Sequence, residues 1–353
     1  MLNDYHNMSL QKLKALNFLF KQPNLKRLVI MLVIAFAAMS ALKPNIFLTQ
    51  DYFSSMLGLF PEYGIISIAM MITMISGGID LAAVSIANFT GIMTCLFLIR
   101  FIPDDASVGY AAMILICGFF LSVILGGFCG AISATLISKI GIPPILATLG
   151  TNDLILGAAI ALTKGSSISS IPPILSEVGN YMIGGVIPVT LIAFIICALI
   201  LSFILSKTTY GFKLYMMGSN QTASRFSGTD NNKIIYITYI LSGMLASVSG
   251  LLMCARFNTA RADFGTSYTM QAILICVLSG VNPNGGFGTV AGITLSVLIL
   301  QILSSGFNMF PFISNFYRDL IWGAVLLAVL LYNHISINRQ AKATQKKAVA
   351  SKA

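Results

Sequence analysis

Charged residues are scarce in this chain. Only 9% of its 353 residues are Asp, Glu, Lys or Arg, and 57% are hydrophobic, whereas about 25% of the residues of a soluble domain are charged. This shortage excludes an ordinary soluble protein. Uncharged apolar runs of about 20 residues recur instead, the length that an α-helix needs to cross a bilayer. The alternating segments of a membrane β-barrel are missing, so we expect an all-α, polytopic membrane helical bundle.

Residues that perform chemistry are also rare. The only histidines, His6 and His334, fall outside the predicted spans, and the six cysteines lie in apolar segments without paired spacing. A histidine-based metal site inside the membrane is therefore excluded, and the cysteines are expected to be small buried hydrophobic residues. No paired acidic site or nucleophile motif is present. We predict no catalytic residue, cofactor or metal, and a chain that is not itself an enzyme.

The apolar runs predict about ten transmembrane helices within residues 28–332. Their bounds are 28–42, 54–76, 81–101, 109–138, 144–163, 183–206, 233–255, 267–281, 287–308 and 314–332. Glycines break this pattern twice. Gly77 and Gly78 separate the second and third spans, and "SGVNPNGG" at 279–286 joins the eighth and ninth. We interpret the second break as the counterpart of the first in a second half of the chain.

The basic residues predict the orientation. An even number of crossings places both termini on one side, together with 15 of the 21 Lys and Arg residues, in 1–27, two loops and the basic tail 333–353. Cytoplasmic segments carry an excess of Lys and Arg, so both termini are predicted to be cytoplasmic in a multi-pass protein of a plasma membrane. The net charge of +10 is a topology signal and predicts no nucleic-acid partner.

Residues 1–27 are predicted to be a cytoplasmic amphipathic segment. Leu10, Leu13, Leu16 and Phe20 recur there at loosely helical spacing, which is typical of a helix with one apolar face. Such a helix either lies on the inner leaflet or packs on its own transmembrane domain.

The longest predicted cytoplasmic loop, 207–233, contains the signals of a short helix. Ser219 or Asn220 can cap its start, and Gly228 can end it in a left-handed conformation. Barely two turns lie between these caps, with Phe226 on one face and Arg225 on another. Two turns are not stable alone, so we interpret this helix as a segment that docks into the groove of a partner.

An ordered set of motifs resembles a known transporter family. The motifs are "SGGID" at 76–80, "LATLG" at 146–150, "YMMGSNQTASRFSG" followed by "YILSGMLASVSGLLMCAR", "AILICVLSGVNPNGGFGTVAG" at 272–292 and "AVLLAVLLYN" at 324–333. They are similar to permease subunits of bacterial ABC importers of the ribose/galactose/xylose class, in the branched-chain amino acid/sugar permease superfamily. The resemblance covers about residues 45–335, and its specificity lies in the ordered set.

The resemblance implies partners and a coupling site. Members of the family pair in the membrane, receive a sugar from a binding protein and are driven by a separate ATPase. The chain has no G-x-x-x-x-G-K-[ST] phosphate loop, in agreement with ATP hydrolysis on another subunit. By resemblance, residues 213–229 contact that ATPase. The predicted coupling residues are Gly218, Ala223, Arg225, Phe226 and Gly228.

The chain departs from the family pattern at several polar positions. Ala82 and Ala83 follow "GGIDL" where the family commonly has Ser-Val, and Gln271 stands where relatives often carry an acidic residue. Leu156 replaces a frequent arginine after "TLG", and Asp153 is present instead. The identity of the sugar is therefore not transferred from the family.

Glycines and polar residues within the spans are the candidate translocation pathway. Backbone leaves a helix at membrane depth only where protein or a water-filled cavity satisfies its amides, and a carboxylate there costs at least about 2.5 kcal/mol. Asp80 is either a cap of the following helix or a pathway residue, and the other polar residues either join helices or contact substrate. The candidates are Gly77, Gly78, Asp80, Asn88, Asn152, Asp153 and Gln271.

These observations predict a permease subunit of an ATP-driven importer that translocates a simple sugar delivered by a binding protein. A nucleoside or autoinducer-2 is the alternative cargo. A different class is an ion-coupled secondary transporter with Asp80 and Asp153 as proton sites, and the docking loop argues against it. The expected partners are an ABC ATPase, a periplasmic or lipid-anchored binding protein, a second permease (identical or not) and the lipid membrane.

Overall fold

The computed structural model describes residues 23–103, 105–309, 320–325, 327 and 331. The helices of the first half are α1 (Pro23–Leu42), α2 (Pro44–Phe47), α3 (Gln50–Leu59), α4 (Pro61–Ile75), α5 (Ala83–Phe101), α6 (Val108–Thr135) and α7 (Pro144–Thr163). Those of the second half are α8 (Pro173–Asn180), α9 (Val189–Lys207), α10 (Thr209–Ser219), α11 (Gln221–Phe226), α12 (Asn231–Phe257), α13 (Tyr268–Ser279) and α14 (Val290–Phe307). A π-helical turn, Leu136–Ile140, extends α6, and β1 (Met182–Ile183) pairs antiparallel with β2 (Ile187–Pro188). The predicted all-α class is confirmed.

Within the described residues, eight helical segments are long and apolar enough to cross a membrane. They are Asn24–Leu42, Gln50–Ile75, Ala83–Phe101, Val108–Ile140, Pro144–Thr163, Val189–Lys207, Asn231–Phe257 and Val290–Phe307. The predicted span 267–281 corresponds to α13, whose 12 residues reach about 18 Å, short of the roughly 30 Å of hydrocarbon. Most of the predicted span 314–332 lies outside the described residues. So do residues 1–22 of the predicted amphipathic segment and the basic tail.

The sixth predicted span begins later than expected. Residues 182–188 form a β-hairpin, and α9 starts only at Val189. Gly184 and Gly185, with φ of 62° and 72°, supply left-handed conformations in the three-residue loop 184–186 between the paired Ile183 and Ile187. The apolar run from 183 was therefore wrong as the start of a helix, because hydropathy alone does not distinguish an exposed apolar hairpin from a span.

Helix α4 is the centre of the bundle. All of its 15 residues are buried, and α9, α12, α13 and α14 pack around it. The sequence "PEYGIISIAMMITMI" is apolar on every side, as expected of a helix enclosed by other helices. The phenyl ring of Phe194 from α9 covers Gly64, and Val297 from α14 lies beside it.

Glycines allow α12 to approach two neighbours closely. A Cβ atom on Gly126 or Gly130 of α6 would overlap the backbone of α12, and one on Gly250 of α12 would overlap the carbonyl of Ala87 in α5. Small residues four apart are the usual means of close helix contact in membranes. These contacts fix α5, α6 and α12 as one packed unit beside α4.

Candidate coupling and translocation sites

The predicted helix break after α4 is present. Gly77 has φ of +87°, a conformation that glycine adopts readily, and α5 begins only at Ala83. The amides of Gly77 and Gly78 donate to the carbonyls of Met74 and Thr73 at 2.9 and 3.0 Å. The α4 terminus thus satisfies the backbone of the turn at this depth.

Asp80 anchors this break to α12. It is 1% exposed; its Oδ2 accepts from Ser242 Oγ at 2.6 Å, and its Oδ1 accepts from the Ala82 amide at 3.1 Å. The proposed cap of the following helix is therefore wrong: the cap position of α5 is Ala82, which has no side-chain cap hydrogen bond, and Asp80 bonds to the amide of Ala82, before the first helical residue. A Cβ on Gly78 would overlap the Tyr239 hydroxyl, which is buried without a hydrogen-bond partner. In this conformation the carboxylate is enclosed by protein.

The second break lies between α13 and α14 and contacts the first. Gly280, Gly285 and Gly286 have φ of 86°, 98° and 78°, so the chain makes several left-handed turns in a few residues. The Gly286 amide donates to the carbonyl of Ile75, the last residue of α4, at 2.9 Å. The two glycine breaks are thus joined by a backbone hydrogen bond.

Helix α10 ends against both breaks. A Cβ on Gly218 would overlap the Ile75 carbonyl oxygen and the Gly286 amide nitrogen. The Tyr215 hydroxyl donates to the carbonyl of Gly288 at 2.7 Å. The sequence analysis treated residues 207–219 as loop, whereas eleven of them form this helix. Its local signal was the Thr208 side chain, which caps the helix by accepting from the Gly211 amide.

The predicted short helix of the loop is confirmed as α11. Asn220, one of the two proposed caps, accepts from the Ala223 amide at 2.9 Å, and Gly228 follows with φ of +79°. Ser224 is its only buried residue. Phe226 is 89% exposed. Together with Arg225 of α11 and Ile235 of α12, it lines a cleft of about 780 Å³.

Asn152 and Asp153 lie halfway along α7 beside α5. Ser85 of α5 donates to Asn152 Oδ1 at 2.5 Å, and Asn152 Nδ2 donates to Asp153 Oδ1 at 3.1 Å. Asp153 is exposed, and no cation of the described residues lies within ion-pair distance of it. Gly150 and Gly157, one turn away on either side, have no neighbouring atoms over their faces. The Asp153 carboxylate therefore lies on an open face of the membrane-spanning helix α7.

The remaining pathway candidates lie elsewhere. Asn88 Nδ2 donates to the carbonyls of Ala262 and Phe264, at 2.9 Å each, and so holds the loop before α13. Gln271 is 9% exposed and lines a small cavity between α13 and α14. The structure therefore places the candidates in separate locations: the α4–α5 break, the α5–α7 cluster, the loop contact and the α13 cavity.

A buried ion pair escaped the sequence analysis. Glu62, which is fully buried, accepts from Arg256 at 3.0 Å, and Tyr268 donates to its other oxygen at 3.3 Å. The signal was available, because Glu62 lies within the predicted span 54–76, where a carboxylate needs a partner, and Arg256 directly follows the predicted span 233–255. The Arg261–Asp263 ion pair, in contrast, is exposed to solvent. Hydrogen bonds from the Arg261 guanidinium lower the pKa of the Asp263 carboxyl below its usual value.

Comparison with protein-family models matches residues 52–330 to the family described as "Branched-chain amino acid transport system / permease component". The chain belongs to this permease family. An autoinducer 2 import system permease protein, LsrD, of Escherichia coli K12 is 28% identical over 326 residues, which are 89% of this chain and 92% of that protein. LsrD of Yersinia enterocolitica is 29% identical over 282 residues, 78% and 81% of the two chains. No solved structure gives a significant match.

Membership of this family confirms two predictions from the sequence: a permease of the ABC importer superfamily and a multi-pass membrane protein. These relatives are named for import of autoinducer-2, which is the alternative cargo considered in the sequence analysis. Transport rather than catalysis is the role of these relatives.

Proposed function

We propose that this chain is one of two membrane subunits of an ATP-driven importer, and that residues 213–229 couple it to a separate ATPase. The observation that carries the proposal is the arrangement of α10 and α11. Phe226 is presented at 89% exposure on a helix too short to be stable alone, and the preceding helix ends against both glycine breaks. An exposed aromatic residue beside a concave surface is the usual form of an interface anchor.

The open face of α7 supports a second permease subunit. A carboxylate at the middle of a membrane helix costs at least about 2.5 kcal/mol in lipid, and Asp153 has no cation partner among the described residues. The cost is avoided where the helix faces water or another protein. We propose that this face lines a translocation pathway that a second permease, identical or not, completes.

The proposed cargo is a small, uncharged, hydroxyl-bearing molecule, either a simple sugar or the autoinducer-2 that the relatives are named for. Ser85, Asn152 and Asp153 offer hydrogen-bond donors and acceptors, and a ligand rich in hydroxyl groups can use both. A binding protein on the outer side would deliver the cargo. Asp80 and the glycine breaks are proposed to govern movement of the pathway helices rather than to contact the cargo.

Uptake by the native host tests this function. A strain that lacks the gene should lose at least one of three activities: uptake of labelled ribose, uptake of labelled xylose, or depletion of autoinducer-2 from the medium. The wild-type gene should restore the activity that is lost. Asp153→Leu should not restore uptake, whereas Asp105→Leu, outside the spans, should. Uptake should continue when the proton gradient is collapsed and ATP is maintained. Unchanged uptake of all three compounds by the deletion strain contradicts the importer, and gradient-dependent uptake points to the secondary transporter.

The proposed orientation has its own test. Cysteines placed at positions 3 and 345 of a cysteine-free variant should both be labelled only from the cytoplasmic face, because the basic ends belong there. Labelling of the two positions from opposite faces means an odd number of spans.

A further inference from the structure

An apolar groove of about 420 Å³ runs along the side of the bundle, between α6, α9 and α12. Helix α9 packs on α4 and α14, whereas α6 packs on α12, so the groove lies where these two parts of the bundle meet. Neither α7 nor the coupling segment 213–229 contributes to its lining. The groove is therefore separate from the sites described above.

Every residue that lines this groove is apolar. Phe120, Ile196 and Ile200 of the rim are 59%, 51% and 56% exposed, and the buried Leu201 belongs to its floor. A polar ligand would lose its hydration here without gaining hydrogen bonds. An empty groove loses the dispersion contacts that a packed surface has. Within a membrane, a flexible hydrocarbon chain supplies those contacts.

The length of the groove matches one leaflet of a bilayer. Along α9 it extends from Ala193 to Ile204, a rise of about 16 Å, and half of the roughly 30 Å of hydrocarbon is about 15 Å. A smaller apolar cavity of about 220 Å³ continues the groove beyond Ala193 toward α8, so longer chains fit too. A neighbouring helix, about 10 Å wide, could insert only its side chains, whereas an acyl chain lies along the whole groove.

A cation lies at one end of the groove. Lys207 follows Ile204 by three positions and Ile200 by seven, so the three residues share one face of α9. Lys207 is exposed, and no carboxylate of the described residues lies within ion-pair distance of it. The start of α10 is tied to α12 at this end, because Tyr210 and Thr238 share a hydrogen bond of 2.8 Å. A lysine just beyond an apolar groove is complementary to a phosphate joined to an acyl chain.

We propose that this groove binds one acyl chain of an anionic phospholipid whose phosphate lies at Lys207. Anionic lipids are abundant in the cytoplasmic leaflet, and this end of α9 belongs to that leaflet in the proposed orientation. Lipid tails are as apolar as leucine side chains, so the walls accept any phospholipid and Lys207 supplies the preference for an anionic one. The second permease is proposed at α7, which leaves this side of the bundle to lipid.

Native mass spectrometry of the purified full-length protein counts bound lipids directly. The delipidated protein in detergent is titrated with phosphatidylglycerol and with zwitterionic phosphatidylcholine of the same chains. One phosphatidylglycerol should bind saturably and about fivefold more tightly than phosphatidylcholine, as expected for one lysine near an anionic headgroup. Lys207→Gln should remove this difference. Lys164→Gln, which changes an exposed lysine after α7, is the matched control and should keep it.

A second pair of variants tests the groove itself. Ile200→Trp places a bulkier side chain in the groove and should abolish the bound phosphatidylglycerol. Leu199→Trp, at the neighbouring position outside the lining, should bind it as the wild type does. Both native side chains are more than half exposed, so the variants should fold, and gel filtration verifies this. Ile196→Trp replaces Ile200→Trp if the latter does not fold. Glycerol 3-phosphate, a headgroup without chains, should not bind.

Four results overturn the proposal. The first is the absence of a saturable phosphatidylglycerol complex, and the second is equal binding of the two lipids by the wild type. The third is a phosphatidylglycerol complex that survives Ile200→Trp. The fourth is dissociation of a permease dimer by Ile200→Trp, which would assign the groove to the second subunit. The uptake and labelling experiments use none of these variants, so failure here is distinct from failure of the proposed function.

Discussion

Gly286 donates its amide hydrogen to the carbonyl oxygen of Ile75 at 2.9 Å. This carbonyl belongs to the last turn of α4, where the oxygens have no intrahelical partner. The hydrogen bond therefore joins the break after α4 to the break between α13 and α14. Gly218 of α10 lies against both atoms. A displacement of α10 must therefore move the ends of α4, α13 and α14 together.

Gly218→Ala should uncouple transport from the ATPase. A Cβ at this position overlaps two backbone atoms, and such overpacking costs about 1–3 kcal/mol and shifts the backbone. Uptake should be lost, with the protein still recovered as a monodisperse species by gel filtration. Gly109→Ala is the matched control, because open space surrounds Gly109. Normal uptake by Gly218→Ala would show that the contact of Gly218 with Ile75 and Gly286 does not couple α10 to the transport helices.

Phe226→Asp should abolish substrate-stimulated ATP hydrolysis in the assembled importer. Its side chain is 89% exposed in the isolated chain, so folding is unaffected, whereas docking would bury the new carboxylate against an apolar surface. Phe226→Leu keeps an apolar side chain and should retain most of the stimulation. Gly228→Val should also reduce it, because φ of +79° strains a β-branched residue. Stimulation at the wild-type level in both Phe226→Asp and Gly228→Val contradicts the docking model.

Glu62→Gln should lower the thermal stability of the permease strongly. It leaves Arg256 without its anionic partner in a site where Glu62 is fully buried, and breaking a buried pair costs about 3–5 kcal/mol. Thermal gel filtration should place the double variant Glu62→Gln/Arg256→Gln between the wild type and Glu62→Gln, because two amides can hydrogen-bond to each other.

The control for that experiment is Asp263→Asn. It disrupts the exposed Arg261–Asp263 pair, and exposed pairs contribute little, so the melting temperature should stay unchanged. If Glu62→Gln melted at the same temperature as Asp263→Asn, the buried pair would have no structural role.

The parts of the fold that the sequence predicted correctly depend on local sequence features, such as the residues that start and end a helix. The bounds of α7, residues 144–163, follow from a proline start and an apolar run, and the capping side chain of Asn220 and the left-handed Gly228 bound α11. Both kinds of signal act over a few residues. The start of α9 was misplaced because an apolar hairpin and an apolar helix share the same hydropathy.

Contacts between distant residues could not be predicted in the same way. Ser242 bonds to Asp80 across 162 positions, and Arg256 bonds to Glu62 across 194. Gly218 contacts Ile75 although four membrane spans lie between them in the sequence. A single sequence indicates that each residue is polar or small at membrane depth, but the partner depends on how helices pack, which hydropathy does not encode.

Substitution of Asp80 separates the role of its hydrogen bonds from the role of its charge. Its two oxygens accept from the Ala82 amide and from Ser242, and the side-chain oxygen of asparagine can keep the bond to the Ala82 amide. Asp80→Asn should therefore keep most of the folded yield, whereas Asp80→Ala leaves buried donors without an acceptor and should lose about 1–3 kcal/mol of stability. We expect Asp80→Asn to lose part of the uptake, because the amide nitrogen reverses the direction of the hydrogen bond with Ser242 and so weakens the tie between the α4–α5 break and α12. Folded yield and uptake are measured for both variants, with Ser242→Ala as the matched control. Uptake by Asp80→Asn equal to that of the wild type would limit this carboxylate to a structural hydrogen-bond acceptor.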